Sequence, residues 1–413
     1  MRILISGASV AGPVLAYWLV RAGFDVTVVE RAPAPRKTGG HAVDLFRPAM
    51  DIVERMGALE PVMAHATGTH TLTMHTENGA RAAELEMRRL MGAFSDRHAE
   101  IMRDDLSEIF HDLTRDDVGY VFGDSITSIT QDGEVTFERG APAAYDLVIG
   151  ADGLHSNVRR LVFGPEEDFT TWIGAYLAVA SVPNHLGLDR RVEGLVGVDR
   201  TAAMYGAAHM EDARAVFLFR TPRPLDYHHR DVARQKELLR DHFGDAGWEV
   251  PRLLDEADRS PAFYFDSITQ LRLDTWSQGR VTLVGDAGYC PGPAVGGSTS
   301  LAVVGAYVLA GELAACDGDH TRAFPAYEAE LGEYVRRSRT FAVNAARSLM
   351  PGGRFGLWAL NRGLRLVNRL PTALTKAVAQ GTSRGVRLHD SIVLKDYAAK
   401  DGRTPSREHS KGA

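Results

Sequence analysis

The chain has 413 residues, of which 45% are hydrophobic and 24% charged, and a formal net charge of −6. A single core stops growing near roughly 250–300 residues, so two or more structural units are expected, and the mildly acidic balance excludes a nucleic-acid partner held by a global basic field. Two cysteines, Cys290 and Cys316, are too few for a disulfide framework or a metal cluster, and no metal site is expected.

Met1-Arg2 leads directly into an apolar strand, so no secretory leader is read, and no run of about 18 apolar residues is present to span a membrane. The cytoplasm is the expected compartment. Residues 2–5 read as a strand, Gly7 to Gly12 (GASVAG) as a glycine loop, 13–23 as an apolar-periodic helix and 25–30 as a strand ending on Glu30. This is a βαβ unit with a dinucleotide fingerprint. Gly7 permits the tight turn and Gly12 the close helix–strand approach. Ser9 stands where the middle glycine is usual, with a side chain small enough for a pyrophosphate to come near. Glu30, eighteen positions after Gly12, offers a carboxylate to ribose hydroxyls and repels a 2′-phosphate.

An arginine-bearing loop follows, from Arg31 through Arg36, and then His41 to Leu45 and a helix over 48–56. Asn78-Gly79 marks a hairpin within 70–88. Ile101-Met102-Arg103 is read as opening a helix. Residues 120–122 and 125–137 read as a meander. Residues 146–153 repeat the pattern of a buried strand running into an acid and glycine, Asp152-Gly153, with Arg159 on the next helix. Over 170–270 alternating stretches (176–182, 213–220) predict an antiparallel sheet interrupted by one helix over 231–243.

The stretch 280–315 organises the whole. Residues 282–284 form a short apolar strand, and Gly285-Asp286 stands at its end, where open α/β sheets place ligands. The loop GYCPGPAVGG combines four glycines with two prolines, Pro291 and Pro293, so backbone amides can approach a ligand on a stiff frame. Ser298 or Thr299 would cap the helix beyond, whose positive end faces the crevice. Cys290 in this loop reads either as a reactive thiol or as a buried spectator. Residues 320–350 and 355–370 are helical, the latter basic through Arg354, Arg362, Arg365 and Arg369. Such a helix either packs over the core or lies on an anionic membrane surface.

Four separated pieces, GASVAG with Glu30-Arg31, Arg103-Asp104-Asp105-Leu106, Asp152-Gly153 with Arg159, and Gly285-Asp286-Ala287, together resemble the single-component FAD-dependent aromatic-ring monooxygenases. These include the p-hydroxybenzoate hydroxylase type and the tetracycline- and polyketide-modifying branch. The resemblance covers residues 1–335 and rests on order and spacing. It implies an α/β fold: a discontinuous, doubly wound FAD domain in segments 1–72, 97–168 and 271–318, with an antiparallel-sheet substrate domain in 73–96 and 169–270. C-terminal helices over 319–399 and a disordered tail over 400–413 complete it.

By that resemblance Gly7, Ser9, Ala11 and Gly12 cradle the pyrophosphate, Glu30 holds the adenosine ribose, and Arg31 lies by the adenine. Arg103 contacts the ribityl–phosphate region and Asp44 lies at the flavin. Gly285-Asp286 serves the ribityl chain, with Pro293 in the loop, and Gly296, Gly297 and Ser298 present amides to the pyrimidine edge. Asp152 is tied to FAD and the pyridine nucleotide, and Arg36 and Arg159 to NADPH. Three positions depart from the family: Tyr289 for a histidine, Gly297-Ser298 for Gln-Gly, and Gly305 for an aspartate.

The implied chemistry is NADPH or NADH reducing FAD, O2 adding at flavin C4a, and the resulting hydroperoxide oxygenating a phenolic or polyketide-like substrate. His41, Tyr176, His209, Arg220 and Tyr264 are the side chains available to orient or deprotonate it. The alternatives are a flavin dehydrogenase or reductase of the same fold, and a non-catalytic flavin-bound redox sensor.

Overall fold

The computed structural model describes residues 1–35, 40–87, 97–207, 209–228, 230–292, 297–367 and 392–397. Numbered along the chain, strands β1 (Arg2–Ser6), β2 (Asp25–Glu30), β7 (Gly119–Phe122), β11 (Leu147–Gly150), β17 (Ser277–Gln278) and β18 (Val281–Leu283) build one sheet. Their order is β17-β18-β11-β1-β2-β7, parallel except for β17. Ile3, Leu4, Ile5, Leu147, Val148 and Ile149 are fully buried, as a parallel sheet covered on both faces requires. Helices Ala11–Arg21 and Ser298–Ala315 supply much of that cover. Ser298–Ala315 is long and apolar enough to cross a membrane, but 78% of it is buried inside this fold, which marks it as a core helix.

The second layer is a seven-stranded sheet of β4 (Thr71–His75), β5 (Arg81–Glu86), β12 (Thr170–Val182), β13 (Arg191–Gly197), β14 (Arg200–Gly206), β15 (Ala213–Arg220) and β16 (Phe263–Leu271), in the order β16-β12-β15-β14-β13-β4-β5. Side chains alternate between its faces. On one face Tyr176, Phe217, Phe219 and Phe265 meet helices Val232–Phe243 and Val250–Arg259. On the other, Ala175, Leu177, Val179, Leu218 and Ile268 pack with Ala342 of the long helix His320–Leu349 and with Met350. A two-stranded ribbon of β3 (Ala42–Phe46) and β6 (His98–Met102) links the layers, and the Ala42 amide donates to Tyr205 Oη of the large sheet at 2.8 Å.

Three expectations are corrected. Ile101-Met102 does not open a helix: it pairs with Ala42 and Val43 at the end of β6, and helix Arg103–Asp112 begins after it. Residues 120–122 leave the meander and extend the parallel sheet beside β2. The break is made by Gly123 at φ 76° and by Asp124, whose carboxylate accepts from the amides of Ser125, Arg139 and Gly140. Only β8 (Ile126–Ile129), β9 (Glu134–Phe137) and β10 (Ala143–Ala144) remain as an antiparallel set. The sheet is interrupted by two helices and not one: Val250–Arg259, with Pro251 in its first turn and Val250, Leu253, Leu254 and Ala257 buried, follows Val232–Phe243.

Candidate active site

The carboxyl ends of β1, β2, β11 and β18 open on a cleft of about 540 Å³ that also reaches the large sheet at Phe263, Tyr264 and Asp266. At one end the glycine loop sets its shape. Gly7 sits at φ 109°, and a Cβ there would lie 2.5 Å from the Ala151 carbonyl oxygen. A Cβ on Gly12 would lie 1.9 Å from the carbonyl oxygen of Gly7. Neither place admits a side chain. Helix Ala11–Arg21 has no side-chain cap, so its first amides and positive dipole end face the cleft. Arg103 Nη2 donates to Ser9 Oγ at 3.2 Å, putting a cation beside the same loop. Glu30 accepts from the amides of Ala8 (2.9 Å) and Ala32 (2.8 Å), which fixes a carboxylate at the end of β2. Amide donors, a cation and a carboxylate in this sequence fit the pyrophosphate and ribose of a dinucleotide.

The middle of the cleft is built from the stretch after β18. Gly285, at φ 67°, lies so close to the helices that an added Cβ would stand 3.2 Å from Ala302 Cβ and 3.3 Å from Ala11 Cβ. Ser298 Oγ donates to Asp286 Oδ1. Gly297 at φ 90° starts helix Ser298–Ala315 with no side-chain cap, leaving a second helix N-terminus open at the cleft. Ser300 Oγ joins that helix to β3, accepting from the Phe46 amide at 2.9 Å and donating to the Asp44 carbonyl at 3.0 Å. Asp44 itself lines the cleft and pairs with His98 at 2.7 Å. Arg31 lines it too, whereas Arg36, Pro293 and Gly296 lie outside the described residues.

Two expected cofactor contacts are otherwise engaged. Asp152 borders the cleft, but its carboxylate accepts from Ser156 Oγ and the amides of Asn157 (2.9 Å) and Val158 (3.1 Å), bracing the next helix. Burial raises its pKa, against those hydrogen bonds. Arg159 is not free for a nucleotide phosphate: it is fully buried and donates to the carbonyls of Ala287 (2.9 Å) and Leu154 (2.6 Å) and to Glu166 (2.6 Å). It ties the segment after Asp286 to the Asp152 turn. Cys290 lines the cleft as a spectator, fully buried, with its thiol pushed well up by burial.

At the sheet end, His41 and Tyr264 stack obliquely with ring centroids 5.7 Å apart. Burial, aided by the charge of Arg103, lowers His41 to about 4, so this imidazole is neutral at physiological pH. Tyr264 Oη donates to Asp266 Oδ2 at 3.3 Å. The same oxygen meets His155 Nε2 at 3.1 Å, and His155 Nδ1 meets Glu166 at 2.9 Å. Burial opposes the charge on His155, but its bonds to Asp266 and Glu166 win and raise it to about 10. The Tyr264–Asp266–His155–Glu166 chain runs from cleft to solvent and was missed by the sequence reading. Its only local signal is a tyrosine and an acid two apart on one strand.

Three other candidates are displaced. Tyr176 projects from the opposite sheet face, 1% exposed, its hydroxyl accepting from the Leu225 amide at 2.7 Å between Phe219 and Phe265. Alternation along β12 puts it in the helix-covered core. His209 is exposed beside Asp105 (3.6 Å), and Arg220 pairs with Asp199 (3.5 Å); neither lines the cleft. Two of the family departures explain one another. Tyr289 Oη occupies the place of a side chain at position 305, where a Cβ would lie 1.9 Å from it.

The family model described as an FAD binding domain matches residues 1–342, most of the chain. The chain belongs to the FAD-binding monooxygenase family. It is 39% identical over 353 residues to a flavin-dependent monooxygenase of Legionella longbeachae, covering 85% of this chain and 90% of that protein. It is 44% identical over 356 residues to an uncharacterized protein of Mycobacterium tuberculosis, covering 85% and 94%. Among solved structures, tetracycline destructase Tet(55) superposes with a TM-score of 0.80 at 35% identity, over 96% of this chain and 98% of that one. As a member of this family the chain is an oxidoreductase with FAD as its cofactor, and the glycine loop, Glu30 and the two uncapped helices suit that group.

Proposed function

We propose that this monooxygenase uses NAD(P)H and O2 to oxygenate a phenolic or polycyclic small molecule. The observation that carries the reading is the continuity of one cleft, from the glycine loop past Asp286 to His41 and Tyr264 on the large sheet. FAD, when bound, supplies the redox chemistry and the activation of oxygen. The protein's part is to bind, orient and move a proton. The loop at Gly7, Ser9 and Gly12, with the Ala11 amide and Arg103, holds the pyrophosphate. Glu30 takes the ribose, and Arg31 lies toward the adenine. Asp286 serves the ribityl chain, Gly297 and Ser298 offer amides to the flavin ring, and Asp44 stands beside it.

Tyr264 then orients a substrate hydroxyl from the sheet side, and Asp266 receives its proton through the tyrosine. Charged His155, reaching solvent, fixes that carboxylate and exchanges with water. Neutral His41 offers a second polar contact without adding charge to the chamber. Similarity to a tetracycline destructase supports a polycyclic, hydroxyl-bearing substrate.

The test is NADPH oxidation and O2 uptake by the purified flavoprotein with a panel of phenols and polyketides. Oxygen-dependent product with little peroxide release is expected. Product that forms equally well without O2 would instead identify a dehydrogenase or reductase, and no turnover at all a redox sensor.

A further inference from the structure

Away from the flavin cleft, the long helix His320–Leu349 and the end of β16 border a second, open cavity of about 520 Å³. Arg272, Arg336 and Arg339 line it with Gln270, Thr340 and Asn344, and no lining residue is acidic. Arg336 is exposed and paired with Glu333 at 2.5 Å. Arg272 and Arg339 have no ion pair among the described residues. Arg339 is the telling group: its Nε and Nη2 are shut off from solvent and meet no acceptor. Burial and the nearby charge of Arg272 bring it down to about 10, so it remains a cation at neutral pH.

Two buried guanidinium nitrogens without an acceptor are costly, and repulsion from a neighbouring arginine adds to the cost. A bound anion offsets that repulsion. Guanidinium forks match the oxygens of phosphate, and the two cations without an ion pair, Arg272 and Arg339, call for more than a single negative charge, which favours a phosphoryl group over a carboxylate. The volume leaves room for an organic body beyond it. Gln270 Nε2 donates to the carbonyls of Arg339 (2.7 Å) and Pro291 (2.9 Å). The cavity is thereby tied to the loop whose Cys290 lines the flavin cleft from the other side.

We propose that the Arg272–Arg336–Arg339 cavity is a binding site for a phosphoryl group, borne by free phosphate or by a phosphorylated small molecule such as a pyridine nucleotide. The proposal is independent of the oxygenation reading. Its test is thermal unfolding of the FAD-loaded protein during titration with inorganic phosphate, with sodium chloride holding ionic strength constant. Wild type should show a saturable rise in Tm. Arg339→Gln and Arg272→Gln should weaken the apparent affinity tenfold or more while the flavin absorbance is unchanged. Arg272 is exposed, so Arg272→Gln decides the matter if Arg339→Gln fails to fold. Competition by NADPH assigns the phosphoryl group to the nucleotide, and its absence assigns it to phosphate or another phosphorylated compound. A phosphate effect no larger than that of chloride, or one unchanged in Arg272→Gln, overturns the site.

Discussion

Tyr289 and Gly305 provide a quantitative check on how the flavin-facing helix is seated. Tyr289 is fully buried, its ring 4.6 Å from Trp276, and Tyr327 Oη donates to Leu283 O and lies within hydrogen-bond distance of Tyr289 Oη, both at 3.0 Å. Gly305→Ala would put a Cβ 1.9 Å from that hydroxyl and 3.1 Å from Cζ. The ring is wedged, so it has to move by more than an ångström, and overpacking of this kind costs about 1–3 kcal/mol. The gain in helix propensity returns about 1 kcal/mol, leaving a net loss of about 1–2 kcal/mol at the upper end of the clash. Tyr289→Phe removes one hydrogen bond while Tyr327 keeps its carbonyl acceptor, a loss of about 1 kcal/mol. In the double variant the hydroxyl is gone and the nearest atom is Cζ, which needs to yield only a few tenths of an ångström. The double variant is expected to be at least as stable as Tyr289→Phe alone, a favourable coupling of about 1–2 kcal/mol. Urea midpoints and bound-flavin absorbance for the four proteins of the cycle measure this. Additive losses would refute the claim that these two residues share one space.

Three further outcomes are expected. Arg103→Ala removes the cation beside Ser9 and should weaken FAD binding about tenfold to a hundredfold, the worth of one charge-assisted hydrogen bond, measured by flavin fluorescence during titration of apoprotein. Arg159→Leu removes the bonds to Glu166 Oε2 and to two carbonyls, leaving Glu166 only partly compensated by His155, and should cost about 3 kcal/mol in unfolding experiments; a loss below about 1 kcal/mol would show that Arg159 is no strut. His155 has a folded pKa of about 10 against 6.5 when unfolded, so its stabilisation is complete below about pH 6.5 and is lost as pH rises toward 10. The Tm of wild type should therefore fall more across that window than the Tm of His155→Gln, which should also turn over substrate more slowly with its flavin retained.

What was legible in the sequence was what depends on neighbours along the chain. Gly7, Gly12 and Glu30 declare the βαβ turn because each answers a local steric or chemical demand, and the strand bounds Asp25–Glu30 and helix bounds Ser298–Ala315 follow from periodicity and glycines. What was hidden depends on partners far away. The junction at Met102 is set by pairing with Ala42, and the acceptor for Tyr264 is shared with a histidine 111 residues from Asp266. Tyr176 and Tyr264 both sit on alternating strands, and only the placement of helices Val232–Phe243 and Val250–Arg259 decides which sheet face is core. The basic pattern over 355–370 was only partly located: Arg362 and the rings of Phe355 and Trp358 are exposed on helix Gly353–Val367, while Arg369 lies outside the described residues.

The most direct measurement is mass spectrometry of the products formed by the FAD-loaded protein with NADPH under isotopically labelled O2, using tetracycline and a panel of phenols and polyketides. Oxygenation through the cleft predicts a product carrying one labelled oxygen atom, diminished in Asp266→Asn. NADPH consumption that yields labelled peroxide alone across the whole panel would contradict it.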